Sequence, residues 1–152
     1  MDESETARVA LRFVNEVNRH EVESLLDLLT EDHVMIDPEG REVRGRDRLR
    51  EVWSGWFRSC PDYHLGDKEW FQSGRTVGMF GTASGTFAVG ERLPAEHRWK
   101  APAAWRAVVR DHRIAQWQVY LDLEPIHRAM EHIRTADATV AVKGSVAASP
   151  GP

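Results

Sequence analysis

Two hydrophobic periods divide this chain, and they do not mix. Over residues 6–58 apolar side chains recur at helical spacing, whereas over 63–122 they alternate as in strands. Ala10, Phe13, Val14 and Val17 mark one face of a first helix over 6–18, and Val22, Leu25, Leu26 and Leu29 a short second one. "TEDHVMID" then reads as a brief β-run that ends at Asp37-Pro38, because proline holds the residue before it extended. "PEGREVRG" reads as a loop or turn. Leu49, Val52, Trp53, Trp56 and Phe57 predict a third helix over 46–58, weakened at Gly55 and stopped by "SCPD".

The β-half begins with "YHLGDKEWFQ" and "TVGMFGTASGTFAV", two strands parted by the turn "SGR". The second is rich in Gly, Ala, Ser and Thr, so another backbone or a ligand can approach it closely. After the long loop "GERLPAEH", the residues Trp99, Ala101, Ala103, Trp105, Ala107 and Val109 alternate with mostly polar neighbours, as on a half-buried strand. Pro102 within it implies an edge, bulge or bend. "RDHR" turns the chain into "IAQWQVYLD", and "EPIHRAMEHI" returns to helix with Ile126, Ala129, Met130 and Ile133 on one side. Segregated helices and strands define an α+β domain whose sheet packs on the helices. One domain is expected over 1–134, with 135–152 a flexible C-terminal tail of small, polar residues.

A net charge of −4 without any basic block excludes the electrostatic footprint of a nucleic-acid binder, and no lysine-rich amphipathic stretch suggests a membrane surface. The acidic start "MDESETARVA" is unlike a secretory signal, and no apolar run nears the ~18 residues that span a bilayer. Cys60 is the single cysteine, so no internal disulfide forms. A cytoplasmic protein is expected. The seven histidines show no metal-ligand spacing, and there is no phosphate loop, dinucleotide fingerprint or nucleophile elbow, so neither metal nor cofactor is expected. Six tryptophans fit either plain core or the walls of a cavity for a planar ligand.

The order of elements, with "RFVNEVNRHEVESLLDLLTEDHVMIDPEGREVRGRDRLREVW" and "VVRDHRIAQWQVYLDLEPIHRAM", resembles the nuclear transport factor 2-like (cystatin-like) superfamily over roughly 6–134. Ketosteroid isomerases and the SnoaL-like polyketide cyclases belong to it. The resemblance implies a cone: a curved antiparallel sheet wrapped around the N-terminal helices, commonly a homodimer through the sheet, with a cavity for an apolar small molecule. It places Asp37, in "DPEG", where the isomerases carry their general base. It also places Phe13 and Ala104 where they carry the tyrosine and aspartate that stabilise the dienolate, so a steroid isomerase is not expected. Asp122, in "VYLD", matches the acid/base aspartate of the cyclases, while their histidine on the preceding strand has no match in "RAVVR".

Each candidate keeps two readings. Asp37 is a general base in dry surroundings or the residue that shapes an Asp-Pro turn. Asp122 is a base or the cap of the closing helix. His64 transfers protons opposite Asp37 or is a surface histidine after Pro61-Asp62. Phe13, Val17, Trp53, Trp56, Met79, Trp105 and Tyr120 line a substrate cavity or simply fill the core. The leading expectation is a cofactor-independent enzyme in which a pocket carboxylate cyclises or isomerises a polyketide-like or polycyclic substrate. An epoxide-opening enzyme of the same fold and a non-catalytic binding or dimerisation module are the alternatives. If both carboxylates face solvent or act only as caps, the enzyme reading fails.

Overall fold

A computed structural model describes residues 3–144, with side chains over 5–134. Among the described residues the chain forms α1 (Glu3–Asn18), α2 (Val22–Asp27), β1 (Leu29–Ile36), β2 (Glu42–Arg44), α3 (Arg46–Ser59), β3 (His64–Ser73), β4 (Thr76–Thr86), β5 (Arg98–Arg110), β6 (Arg113–Leu121) and α4 (Glu124–Gly144). The strands make one six-stranded sheet in the order β2-β1-β6-β5-β4-β3. Every neighbouring pair is antiparallel except β1 with β6, which run parallel in the register Met35↔Trp117. A parallel pair needs a long crossover, and here everything from residue 37 to 112 supplies it.

One face of the sheet is buried. On β5, Trp99, Ala101, Ala103, Trp105, Ala107 and Val109 all point into the core, while Arg98, Lys100, Pro102 and Arg106 between them are exposed. α1 lies across this face against β3, β4, β5 and β6, burying Ala7, Ala10, Phe13, Val14 and Val17. Burying a side chain of the size of Phe13 or Val17 contributes roughly 1.5–3 kcal/mol, and in an amphipathic helix that term outweighs propensity. α3 adds Leu49, Trp53 and Phe57. α4 packs on β5 and on the 3₁₀ turn at Ala95–His97.

Pro102 sits in a strand with neighbours on both sides, yet the β6 pairing ends at Ala103↔Leu121. Beyond that point β5 is an edge toward β6, where a missing N–H leaves no gap in the ladder. The small residues of β4 serve a backbone approach. β3 shifts register between Gly66 and Glu69, with Asp67 at φ 52°, and a Cβ on Gly81 would lie 2.4 Å from the Gly66 carbonyl oxygen. The hairpin at Asp111-His112 has φ of 52° and 62°, the primed turn that matches strand twist.

Two local expectations change. Residues 42–44 are not loop but the short strand β2, paired with β1 through Val34↔Arg44, Met35↔Val43 and Ile36↔Glu42. The closing helix does not stop at 134 but runs to Gly144, because "TADATVAVK" holds neither proline nor glycine to break it. The remainder of the expected tail, 145–152, lies outside the described residues.

Candidate functional site

The buried face of the sheet gathers most of the residues expected to line a cavity. Trp105 on β5 is flanked by Met79 on β4 and Val119 on β6, and Trp117 on β6 by Ala107 on β5 and Met35 on β1. The Phe13 ring sits 4.7 Å from that of Trp117 and meets Trp53 edge-on at 6.1 Å. Val17 is fully buried in the same core. Trp56, half-buried, packs edge-on against Tyr63 and Phe87 and obliquely against Trp99.

Tyr120 does not join them. It lies three residues after Trp117, an odd step, and a strand's period of two turns it to the other face. There it is 49% exposed, opposite Ala104, which in turn pairs with Phe80. Ala104 shares that outer face. Even an aspartate at this position would stand outside the interior.

Burial leaves polar atoms behind. The indole N–H groups of Trp99, Trp105 and Trp117 and the Thr30 hydroxyl have no hydrogen-bond partner among the described residues. An unsatisfied buried donor costs about 1–3 kcal/mol, so each requires an explanation. Another such atom is Nε2 of His33, a side chain only 2% exposed. Its Nδ1 lies 2.8 Å from the backbone oxygen of Ile114, which can only accept, so Nδ1 carries the proton. Burial holds His33 below the usual histidine range, against the opposing pull of the Ile114 carbonyl and of Asp32. The imidazole is neutral, with Nε2 as a bare lone pair. His33 is buried two residues before Met35, in the stretch of β1 between Leu29 and Val34 where the pairing with β6 shifts register.

The two carboxylates are engaged elsewhere. Asp37 Oδ1 accepts the backbone N–H groups of Glu39 and Arg41, both at 2.9 Å, and Oδ2 accepts Arg41 Nε at 2.9 Å. Burial pushes this carboxyl up, but the Arg41 N–H, its guanidinium and the Glu39 N–H together hold it below the ordinary value. Asp122 is exposed and its Oδ1 accepts the Glu124 N–H at 3.1 Å, at the start of α4. His64 is also exposed. It borders a shallow notch of about 300 Å³ with Asn18, Arg19, His20, Pro61, Asp62 and Tyr63. Between β3, which begins with His64, and β1, which leads into Asp37, stand β4, β5 and β6. Asp62 is committed to Thr86, accepting its N–H and its hydroxyl at 2.7 Å each.

His33 escapes a search of the sequence for side-chain partners, since its partner is a backbone carbonyl on β6. One signal was present: within "DHVMID" it falls on the same alternate positions as the apolar Met35.

The fold and this aromatic interior define a class: small α+β domains with a curved sheet closed over helices. The model of the SnoaL-like domain matches residues 10–117, and the chain belongs to that family. Solved structures agree on the fold. A provisionally assigned polyketide cyclase from Xanthomonas campestris pv. campestris is 20% identical with a TM-score of 0.73, covering 83% of this chain and 97% of its own. AclR of Streptomyces galilaeus, provisionally assigned as a hydroxylase, is 18% identical with a TM-score of 0.70, over 93% and 95% of the two chains. A hypothetical protein with a ketosteroid isomerase-like fold from Catenulispora acidiphila, in complex with trimethylamine, is 14% identical with a TM-score of 0.68, over 80% and 92%. No curated protein sequence matches the chain. One fold thus carries differently described proteins, and chemistry has to be argued from the residues.

Proposed function

We propose that this SnoaL-like domain binds an apolar, ring-containing small molecule against the inner face of its sheet by opening the buried aromatic cluster of Phe13, Trp53, Trp105 and Trp117. The observation that carries this reading is the pair of buried, unpartnered indole N–H groups of Trp105 and Trp117. Apolar walls with a few convergent polar groups are the usual make-up of a small-molecule site. A ligand with acceptor oxygens satisfies both donors, and its ring replaces the contact that Phe13 makes with Trp117. A small-molecule complex of a structural neighbour, that with trimethylamine, accords with this use of the fold.

The finer reading, cyclisation or isomerisation by a pocket carboxylate, would fall to Asp37 or Asp122 with His64. We assign none of them to chemistry. Asp37 spends both oxygens on its own turn, and Asp122 caps α4. A base needs a raised pKa and access to substrate, and a carboxylate held ionised by Arg41 lacks the first.

A homodimer through the outer face of the sheet belongs to the same proposal. Phe71 and Phe80 stack edge-on there at 5.9 Å, and Tyr120 lies across Ala104 from Phe80. These exposed rings are the self-complementary apolar patch that a two-fold interface needs.

The binding reading is tested by titrating the protein with 2-acetylnaphthalene while following tryptophan fluorescence. Saturable quenching that weakens in Trp105→Phe and Trp117→Phe is expected. No saturable signal in the unaltered protein overturns it.

A further inference from the structure

We propose that the outer face of the sheet carries a second site, for a phosphate-type oxyanion, formed by His64 on β3, Thr82 and Ser84 on β4, and Arg98 and Lys100 on β5. It lies on the face opposite the aromatic interior, shares no residue with it and stands independently of the binding reading above.

The strand register brings these side chains together. His64 pairs with Ser84 and Ser84 with Lys100, so the three form one row across adjacent strands. Thr86↔Arg98 is the next outward row on one side, and Gly66↔Thr82 the next on the other. Positions of this parity face outward: His64, Arg98 and Lys100 are exposed and Thr82 and Ser84 half-buried, while Leu65, Ala83, Trp99 and Ala101 between them are buried. Directly opposed Cβ atoms lie about 4.5–5.5 Å apart, so a side chain as long as Lys100 reaches across its row. Gly66 makes room at the β3 end. A Cβ there would meet Cδ2 of His64 at 3.2 Å and Nε2 at 3.4 Å, so the imidazole lies along β3 over Gly66, whose partner is Thr82.

The set consists of donors. Two fixed cations, two hydroxyls and an imidazole N–H converge on this end of the sheet, and none of the five side chains has a hydrogen-bond or ion-pair partner among the described residues. Asp62, beside the Arg98 row, gives one oxygen to the Thr86 N–H and the other to its hydroxyl. Asp67 falls in the β3 bulge, where the pairing with β4 is interrupted. Two unneutralised cations suit a dianion, and donors arriving from three strands suit the terminal oxygens of a tetrahedral group better than the two of a planar carboxylate. A neutral ligand would leave both charges unmatched, and a cation would be repelled. Ser84 stands four residues from Phe80 on β4, roughly 13 Å along a strand, so the row lies beside the exposed aromatic patch and not on it.

Amide ¹H–¹⁵N spectra of the full chain at constant ionic strength test the site with inorganic phosphate, phenyl phosphate and acetate. Saturable shifts centred on His64, Ser84 and Lys100 are expected with both phosphates, and acetate should bind about tenfold more weakly. Tighter binding of phenyl phosphate points to an organic ester as the ligand, and equal or weaker binding to the free ion; either supports the site. Lys100→Gln and Ser84→Ala should each weaken phosphate about five- to tenfold. Arg106→Gln, which removes an exposed cation from the same face of β5, should leave it unchanged. None of the three substitutions touches the buried face, and unshifted resonances of Trp99 and Ala101 check that each variant keeps the fold. Shifts that do not saturate, acetate bound as tightly as phosphate, or an equal loss in Arg106→Gln and Lys100→Gln would mean that phosphate only screens surface charge, and would overturn the proposal.

Discussion

Arg41 closes on Asp37 from both backbone and side chain: its N–H reaches Oδ1 and its Nε reaches Oδ2, each at 2.9 Å. Together with the bond from the Glu39 N–H this makes residues 37–41 a carboxylate-centred turn that leads β1 back into β2.

Replacing Asp37 therefore changes stability before it changes ligand handling. Asp37→Ala removes three accepted hydrogen bonds in a partly exposed turn and is expected to cost about 1–2 kcal/mol, while Asp37→Asn, which keeps an acceptor, costs about half as much. Urea unfolding measures both. The carboxyl is held below its ordinary value, so its contribution is present above the unfolded-state pKa and is lost as pH falls through the lower folded value. The difference between unaltered protein and Asp37→Asn should accordingly shrink in acid. Probe binding at neutral pH should be the same in both.

His33 gives a pH dependence in a different window. The folded state holds the ring neutral below its ordinary value of 6.5, chiefly by burial. Between the folded value and 6.5 the unfolded chain binds more protons, so stability falls as pH drops through that window, by up to about 1.4 kcal/mol per pH unit. Asp32 opposes the shift but is paired with Arg110. Denaturant midpoints at pH 7.5 and 5.5 should differ less in His33→Gln than in the unaltered protein. Equal differences would assign the acid sensitivity to other groups.

Cys60 is a fully buried thiol whose pKa burial pushes up to about 12; the neighbouring Trp99 indole opposes this and the charge of Asp62 adds to it. Thiolate is the reactive form, so the native protein should resist a thiol reagent such as Ellman's and react at once in denaturant. Fast reaction under native conditions would mean that the core around Cys60 opens readily.

The fold was legible wherever period and parity were uninterrupted. On β5 the alternation from Trp99 to Val109 placed every residue on its correct face, and α1 and α3 carried their buried stripes openly. Tyr120 misled because its bulk suggested the interior, although its parity with Trp117 was already visible. β2 has only Val43 as an apolar residue, too little for a period, and forms because β1 offers it an edge. The site was less legible. Arg41 stands four residues after Asp37 and could be read as its partner, but the bond that sets the His33 tautomer joins residues 81 apart and exists only once β1 lies beside β6.

The outer face of the sheet provides a test of assembly. Phe71, Phe80 and Tyr120 are 59%, 49% and 49% exposed. Phe80→Lys puts a charge at the centre of the proposed two-fold contact, opposed by the same charge from the partner copy. Sedimentation velocity should show a dimer for the unaltered protein and a monomer for the variant, with the fold unchanged because the position is already in water. A monomer before substitution would remove the sheet-mediated dimer.

Gly81 is the position where the sheet has no slack. The bulge in β3 brings the Gly66 carbonyl oxygen to 2.4 Å from where a Cβ would sit, and the Asp67 carbonyl to 3.1 Å. Both neighbours are backbone and cannot rotate away, so Gly81→Ala must displace β3 from β4 at Gly66↔Thr82. A loss of about 1–3 kcal/mol is expected in urea unfolding. At Gly78, where the pairing is regular, a Cβ meets nothing within 4 Å, so Gly78→Ala should be neutral or mildly stabilising. Equal effects at the two glycines would mean that the β3 bulge is not held in solution.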